Sequence, residues 1–147
     1  MVFAEFITRG DSAEAIAAYR EAFQPSIFRQ TPWAGVGMGM LAADTDEEAE
    51  RLDAPRRAWS RAFAEGNPGA FMSIDAAQAD LKARGAETPS AEERRFAIVG
   101  DGPTVRAGLQ AKAEIVGADE LFLITFAPTL EAGVRSLELT APTLTPM

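Results

Sequence analysis

Residues 95–125, RFAIVGDGPTVRAGLQAKAEIVGADELFLIT, constrain the fold more than any other part of the chain. They read as an apolar run, a glycine turn, an amphipathic stretch, a glycine stop and a second apolar run. FAIV and ELFLIT are short and rich in β-branched and aromatic residues, which is strand chemistry, whereas 103–116 carries helical spacing. Strand, helix, strand in that order is a crossover unit with parallel strands. The stretch 33–43, WAGVGMGMLAA, is apolar on both faces, as a buried parallel strand should be. VFAEFIT at 2–8 adds a further strand, so four are predicted, separated by helices. The class is α/β, built of parallel βα units. A closed parallel barrel takes eight such units and ~250 residues, so the 147 residues here amount to roughly half of one.

Local chemistry marks the helices. In GDSAEAIAAYREAFQPS, Asp11 or Ser12 is the N-cap, Glu14 supplies a capping box, Ile16, Tyr19 and Phe23 share a face, and Pro25 ends the helix. In DTDEEAERL, Thr45 and Glu48 form a second capping box, and Leu52, Trp59 and Phe63 extend an apolar face. Pro55 predicts a break or kink near Asp53. A short helix at 73–84 stops at Gly85, ETPSAEER is a polar connection with a possible helical turn, and a last helix occupies 130–141. No repeat and no low-complexity run divides the chain, so 1–147 is read as one domain with a loose tail at 142–147.

Composition narrows the chemistry. The chain has 22 acidic against 14 basic residues, a net charge of −8, which argues against a nucleic-acid partner. It contains no histidine and no cysteine, which excludes a Ser-His-Asp triad and a His/Cys zinc site. No metal is expected. Nothing reads as a secretory leader, and no run reaches the ~18 apolar residues of a membrane helix. A cytoplasmic location is expected.

Several positions invite a functional reading. GDGPT lacks the spacing and the lysine of a phosphate-binding Walker loop. Asp101 or Gly102 caps the following helix and Pro103 fits its first turn, so this turn starts a helix. Gly35, Gly37 and Gly39 alternate and leave one strand face bare, open either to a flat ring or to close packing. Glu5 sits among apolar neighbours. Inside a barrel it needs a partner such as Arg9 or takes a raised pKa; on an edge strand it stands in solvent and discourages pairing. The strand ends, where ligands of parallel α/β folds gather, are Thr8 and Arg9, Asp44 and Thr45, and Thr125. Asp44 and Thr45 read as helix caps, DTDEEAE as a solvated first turn, and Trp33, Trp59 and the phenylalanines as core.

The series FAEFI…AIAAYREAFQPS, GMLAADTDEEAERL and IVGDGPTVRAGLQAKAEIVGADELFLIT resembles the C-terminal portion of luciferase-like monooxygenases, the flavin-dependent (β/α)8 enzymes related to bacterial luciferase. The match spans most of 2–140 and is weakest over 54–94. The resemblance implies the C-terminal half of a (β/α)8 TIM barrel, with VFAEFIT, the glycine-rich strand and ELFLIT as its sixth, seventh and eighth strands. It implies reduced FMN and oxygen acting on a small organic substrate at the barrel mouth, with Thr8, Arg9, Gly37, Gly39 and Thr125 as cofactor contacts and no catalytic residue identified. The upstream phosphate turn and the first strands of such a barrel have no counterpart here, and Glu5-Phe6 stands where many relatives carry Ser-His. Two expectations follow: an FMN-dependent monooxygenase, or a non-catalytic flavin-binding or structural remnant. The open sheet edges predict a homodimer.

Overall fold

The computed structural model describes residues 1–8 and 12–141. Arg9 and the tail at 142–147 lie outside the described residues, as does Asp11, one of the two expected caps. Four strands form one sheet, and every pairing in it is parallel. The mixed α/β architecture of parallel βα units is therefore as expected.

Strand β2 (Gly35–Ala43) is the centre of the sheet, and all nine of its residues are buried. Along one edge, Gly35 to Met40 pairs with β4 (Glu120–Thr125). The other edge is shared: Gly35 to Gly37 pairs with β1 (Val2–Ala4), and Gly39 to Ala43 pairs with β3 (Ala97–Asp101). Only Met38 separates the two contacts on that edge. This arrangement corrects the strand expected at 2–8. Past Ala4 the chain finds its pairing edge already taken by β3, and it turns into a short helix, α1 (Glu5–Thr8).

One face of the sheet carries α2 (Ser12–Ala22), α6 (Gly102–Val116) and α7 (Leu130–Thr140). There Val36, Met38 and Met40 pack with Ile16, Val105 and Leu109. On the opposite face, Leu41 and Ala43 pack with Ala49 and Leu52 of α3 (Asp46–Ala64). Helix α4 (Ile74–Ala83) lies against α3 through small residues, Ala54 and Ala58 meeting Ala77 and Leu81, which permits close approach. The expected helical turn in the polar connection is α5 (Glu93–Phe96).

Helix starts follow the local chemistry. Thr45, Ser73, Asp101 and Thr129 each accept a hydrogen bond from the N–H three residues on, at 3.1, 3.3, 2.8 and 3.2 Å. Asp101 is thus the cap of α6, and Gly117, at φ 67°, ends it in the left-handed conformation. The break expected at Pro55 is absent: α3 runs 19 residues straight through it. The imide ring costs one backbone hydrogen bond, but residues 52–58 around it are buried and held by tertiary packing, which outweighs local preference.

Asp119 ties the lower end of the sheet together. Its Oδ2 accepts from the N–H of Ala34 and from Arg20, both at 2.8 Å, and its own N–H donates to the carbonyl of Ala34 at 2.8 Å. One side chain thereby joins the last turns of α2 to the starts of β2 and β4. The aromatic residues are not all core, contrary to expectation: Phe28, Phe63, Phe71 and Phe122 are exposed. Trp59 is stacked between Phe63 and Phe71, at 5.3 and 5.4 Å. Among the described residues, no helix is long and apolar enough to cross a membrane.

Candidate functional site

The C-terminal ends of the strands define the rim on which ligands of such folds sit. Beyond the end of β2, Thr45 caps α3 as expected. Asp44 does not cap; it pairs with Arg135 of α7 at 2.5 and 3.3 Å, and that guanidinium holds its carboxyl below the usual carboxylate range. The acidic first turn of α3 is largely solvated, with one exception: Asp46 Oδ1 accepts from the N–H of Asp101 at 2.7 Å. An open cleft of about 370 Å³ lies here, lined by Ala43, Asp44, Leu52, Thr129 and Arg135 among others. Both of its arginines are engaged, Arg51 with Glu48 and Arg135 with Asp44.

The five positions proposed as cofactor contacts do not share one face. Gly37 lies opposite Phe122, and Gly39 opposite Ile124, on the sheet face turned away from α6 and α7. Thr125 pairs with Met40, on the helix-covered face, with its methyl directed at Gly133 of α7 and its buried hydroxyl without a hydrogen-bond partner. Thr8 closes α1, its side chain outside the described part, and Arg9 lies outside the described residues altogether.

The glycine stripe is partly filled by the chain itself. A Cβ on Gly35 would come within 2.6 Å of the Phe122 ring and 3.1 Å of Trp33. A Cβ on Gly39 would come within 2.6 Å of the Phe96 carbonyl oxygen and 3.1 Å of the Phe126 ring. The described residues therefore do not fit an isoalloxazine ring unaided: packing already covers Gly35 and Gly39, and the described basic groups at the rim are neutralised by carboxylates. Among the described residues no cluster of acidic side chains is arranged to hold a metal ion.

Glu5 is neither solvated nor placed in an open interior. It is 2% exposed, and its partner is the ammonium of Lys112, which reaches it from α6. The pairing is a charge contact, since neither carboxylate oxygen accepts an aligned hydrogen bond. A second ionic cluster, not anticipated from the sequence, lies between α3 and β3. Arg56 forks onto Asp53 at 2.5 and 2.7 Å, both side chains being buried, and its Nη1 has no hydrogen-bond partner beside a cleft of about 160 Å³. Burial raises the Asp53 carboxyl even against this arginine. Nearby, Arg57 and Arg61 flank Glu93. Burial would raise the Glu93 carboxyl too, but hydrogen bonds from Arg61 and from the backbone and hydroxyl of Ser90 outweigh it and bring the pKa down to about 2. The i, i+3 spacing of Asp53 and Arg56 was the available sequence signal.

No protein-family model matches the chain. Two proteins of Bacillus subtilis (strain 168) are similar to it: the uncharacterized protein YwcH, 29% identical over 139 residues, and the uncharacterized protein YceB, 28% identical over 137 residues. These matches cover 94% and 93% of this chain but 42% and 41% of the two relatives. Among solved structures, apo-MsnO8 superposes with a TM-score of 0.83 at 28% identity, over 99% of this chain and 45% of that one. The oxygenating constituent of 3,6-diketocamphane monooxygenase from Pseudomonas putida, a type II Baeyer-Villiger monooxygenase in complex with FMN, superposes with a TM-score of 0.58 at 20% identity, over 99% and 42%. The chain thus shares its fold with part of each of these two proteins. The chain spans less than half the length of each of these proteins.

Proposed function

We propose that the chain is one portion of a flavin-dependent monooxygenase of the luciferase-like kind, oxidising a small organic substrate with reduced FMN and oxygen in the cytoplasm. The observation that carries the reading is the likeness of nearly the whole chain to two proteins of this fold, one of them an FMN-bound monooxygenase. In this reading the chain lends one wall of the site, with Gly37, Phe122 and Ile124 on the sheet face turned away from α6 and α7, and with Thr8 and Arg9 as polar contacts. The remaining contacts come from strands this chain does not contain, in keeping with the partial filling of its glycine stripe.

That same filling favours a second reading, a non-catalytic structural or flavin-binding domain, with a homodimer formed through the open edges. FMN fluorescence quenching tests both. The enzyme reading expects saturable binding once the remaining strands are supplied and little by the chain alone. Absence of binding by the assembled form, up to high micromolar FMN, overturns the enzyme reading and leaves only the structural form of the second.

A further inference from the structure

The ionic cluster between α3 and β3 holds a donor that the described residues leave unused. The Arg56 side chain is 6% exposed, and its fork onto Asp53 occupies Nε and Nη2. Nη1, at the far end of the same planar group, is buried and has no hydrogen-bond partner. A guanidinium N–H kept out of water without an acceptor is costly, and folded proteins rarely leave one so. Glu93 cannot supply the acceptor, because its oxygens are taken by Arg61 and by the N–H of Ser90.

The cleft of about 160 Å³ beside Arg56 narrows the choice of acceptor. Clefts of roughly this size hold a ligand of about the bulk of benzene. Part of the wall is apolar, formed by Pro89 with Ala97, Ile98 and Val99 of β3. At the surface stand Glu50 and Arg94, 50% and 58% exposed and loosely paired at 3.9 Å. The charged groups that line the cleft, taken with their ion-pair partners, are unbalanced. The four guanidinium groups of Arg56, Arg57, Arg61 and Arg94 face the three carboxylates of Glu50, Asp53 and Glu93. The surplus is one positive charge, in a chain whose net charge is −8.

We propose that this cleft binds a small aliphatic monocarboxylate. Its carboxylate accepts from Nη1 of Arg56 and from Arg94, and its hydrocarbon end lies on Ala97, Ile98 and Val99. One negative charge cancels the surplus, and the bond to Nη1 satisfies the unused donor. A phosphate dianion would overshoot the surplus and meet three carboxylates. A neutral amide would leave the surplus in place, and water would also leave the apolar wall wet. Nη1 is closed to solvent as the cleft stands, and Arg94, exposed and loosely held, is the side chain whose movement admits the ligand. Neither flavin nor the remainder of a barrel takes part in this site.

The test is titration of the isotope-labelled chain with sodium butyrate at neutral pH and constant ionic strength, without FMN. Nuclear magnetic resonance follows the Arg56 guanidinium and the amides of Ala97, Ile98 and Val99. The expected result is saturable shifts at these positions, half complete at roughly millimolar butyrate, as for ligands of this size. Butyramide and chloride should each act at least about tenfold more weakly, the loss of a charge-assisted bond. Arg94→Ala, at the surface, should weaken binding roughly threefold or more and leave the melting temperature unchanged. Arg56→Gln combined with Asp53→Asn keeps the local charge balance and should abolish the shifts. If that variant does not fold, Arg94→Ala and the location of the shifts decide. Absence of saturation up to about 100 mM overturns the proposal, since binding that weak is no site. So do shifts confined to other positions, equal binding of butyramide or chloride, and binding indifferent to Arg94→Ala or to the paired substitution.

Discussion

Asp46 Oδ1, in the first turn of α3, accepts a hydrogen bond from the backbone N–H of Asp101 at 2.7 Å, joining two residues 55 positions apart. The contact fastens the end of β3 beside the end of β2 and places the capping carboxylate of α6 at the rim. Asp46→Ala should destabilise the chain by about 1 kcal/mol, the usual net worth of a hydrogen bond, while Asp46→Asn, which keeps the acceptor, should cost less. Urea midpoints at constant m-value read the difference.

Pro55 sits in the interior of an unbroken helix. Pro55→Ala restores a backbone donor toward the carbonyl of Arg51 and removes the ring clash, at the expense of a little buried surface and of a stiffer unfolded chain. Proline is worse than alanine by up to ~3 kcal/mol inside a helix, so a net gain of roughly 1 kcal/mol is expected. A lower thermal midpoint would show that the ring fills its site too well to remove.

Acid should loosen the contact between α3 and α5. The Glu93 carboxyl is held at about 2 in the folded chain, against an ordinary value of 4.5. A depressed carboxyl contributes stability that is present above the unfolded value and lost as pH falls through the window between 4.5 and about 2. The loss is expected to be on the order of 2 kcal/mol by pH 2. Asp53, raised by burial, acts in the opposite direction, so the comparison must be with Glu93→Gln, which should flatten this part of the profile. Chemical denaturation at stepped pH measures it.

The two tight glycines of β2 should respond differently to alanine. At Gly39 the new methyl would strike a backbone carbonyl, that of Phe96, which cannot swing away. A cost of about 1–3 kcal/mol is expected from overpacking. At Gly35 the obstruction is the ring of Phe122, a half-exposed side chain free to rotate, and Gly35→Ala should cost distinctly less. Equal penalties at the two positions would contradict the packing described above.

What could be seen in the sequence was what neighbouring residues determine. The cap at Asp101, Pro103 in the first turn of α6, the stop at Gly117 and the strand ELFLIT all stand where expected, because each follows from chemistry within a few positions. The length of β1 does not. It depends on residues almost a hundred positions away occupying the same edge, and no local pattern contains that competition. Continuity of α3 through Pro55 is likewise a tertiary effect. At the site, strand parity was legible: Thr125 differs by an odd number of positions from Phe122 and Ile124, and so must face the helices. The partner of Glu5 was not, since Lys112 approaches across more than a hundred residues of chain. The filling of the glycine stripe by Phe122, Phe96 and Phe126 was equally hidden.

The single carboxylate of Asp119 gives the molecule a mechanical polarity. Where it gathers Arg20, Ala34 and its own strand, three segments are clamped to one another, and deformation there must break several bonds together. Among the described residues no single carboxylate gathers three segments at the opposite end, where Asp46 holds one N–H and pairs such as Asp44 with Arg135 stand in water and can exchange partners singly. Rearrangement on meeting a ligand or a neighbouring unit is therefore expected to concentrate at the upper end, with the lower end acting as the fixed anvil against which it moves.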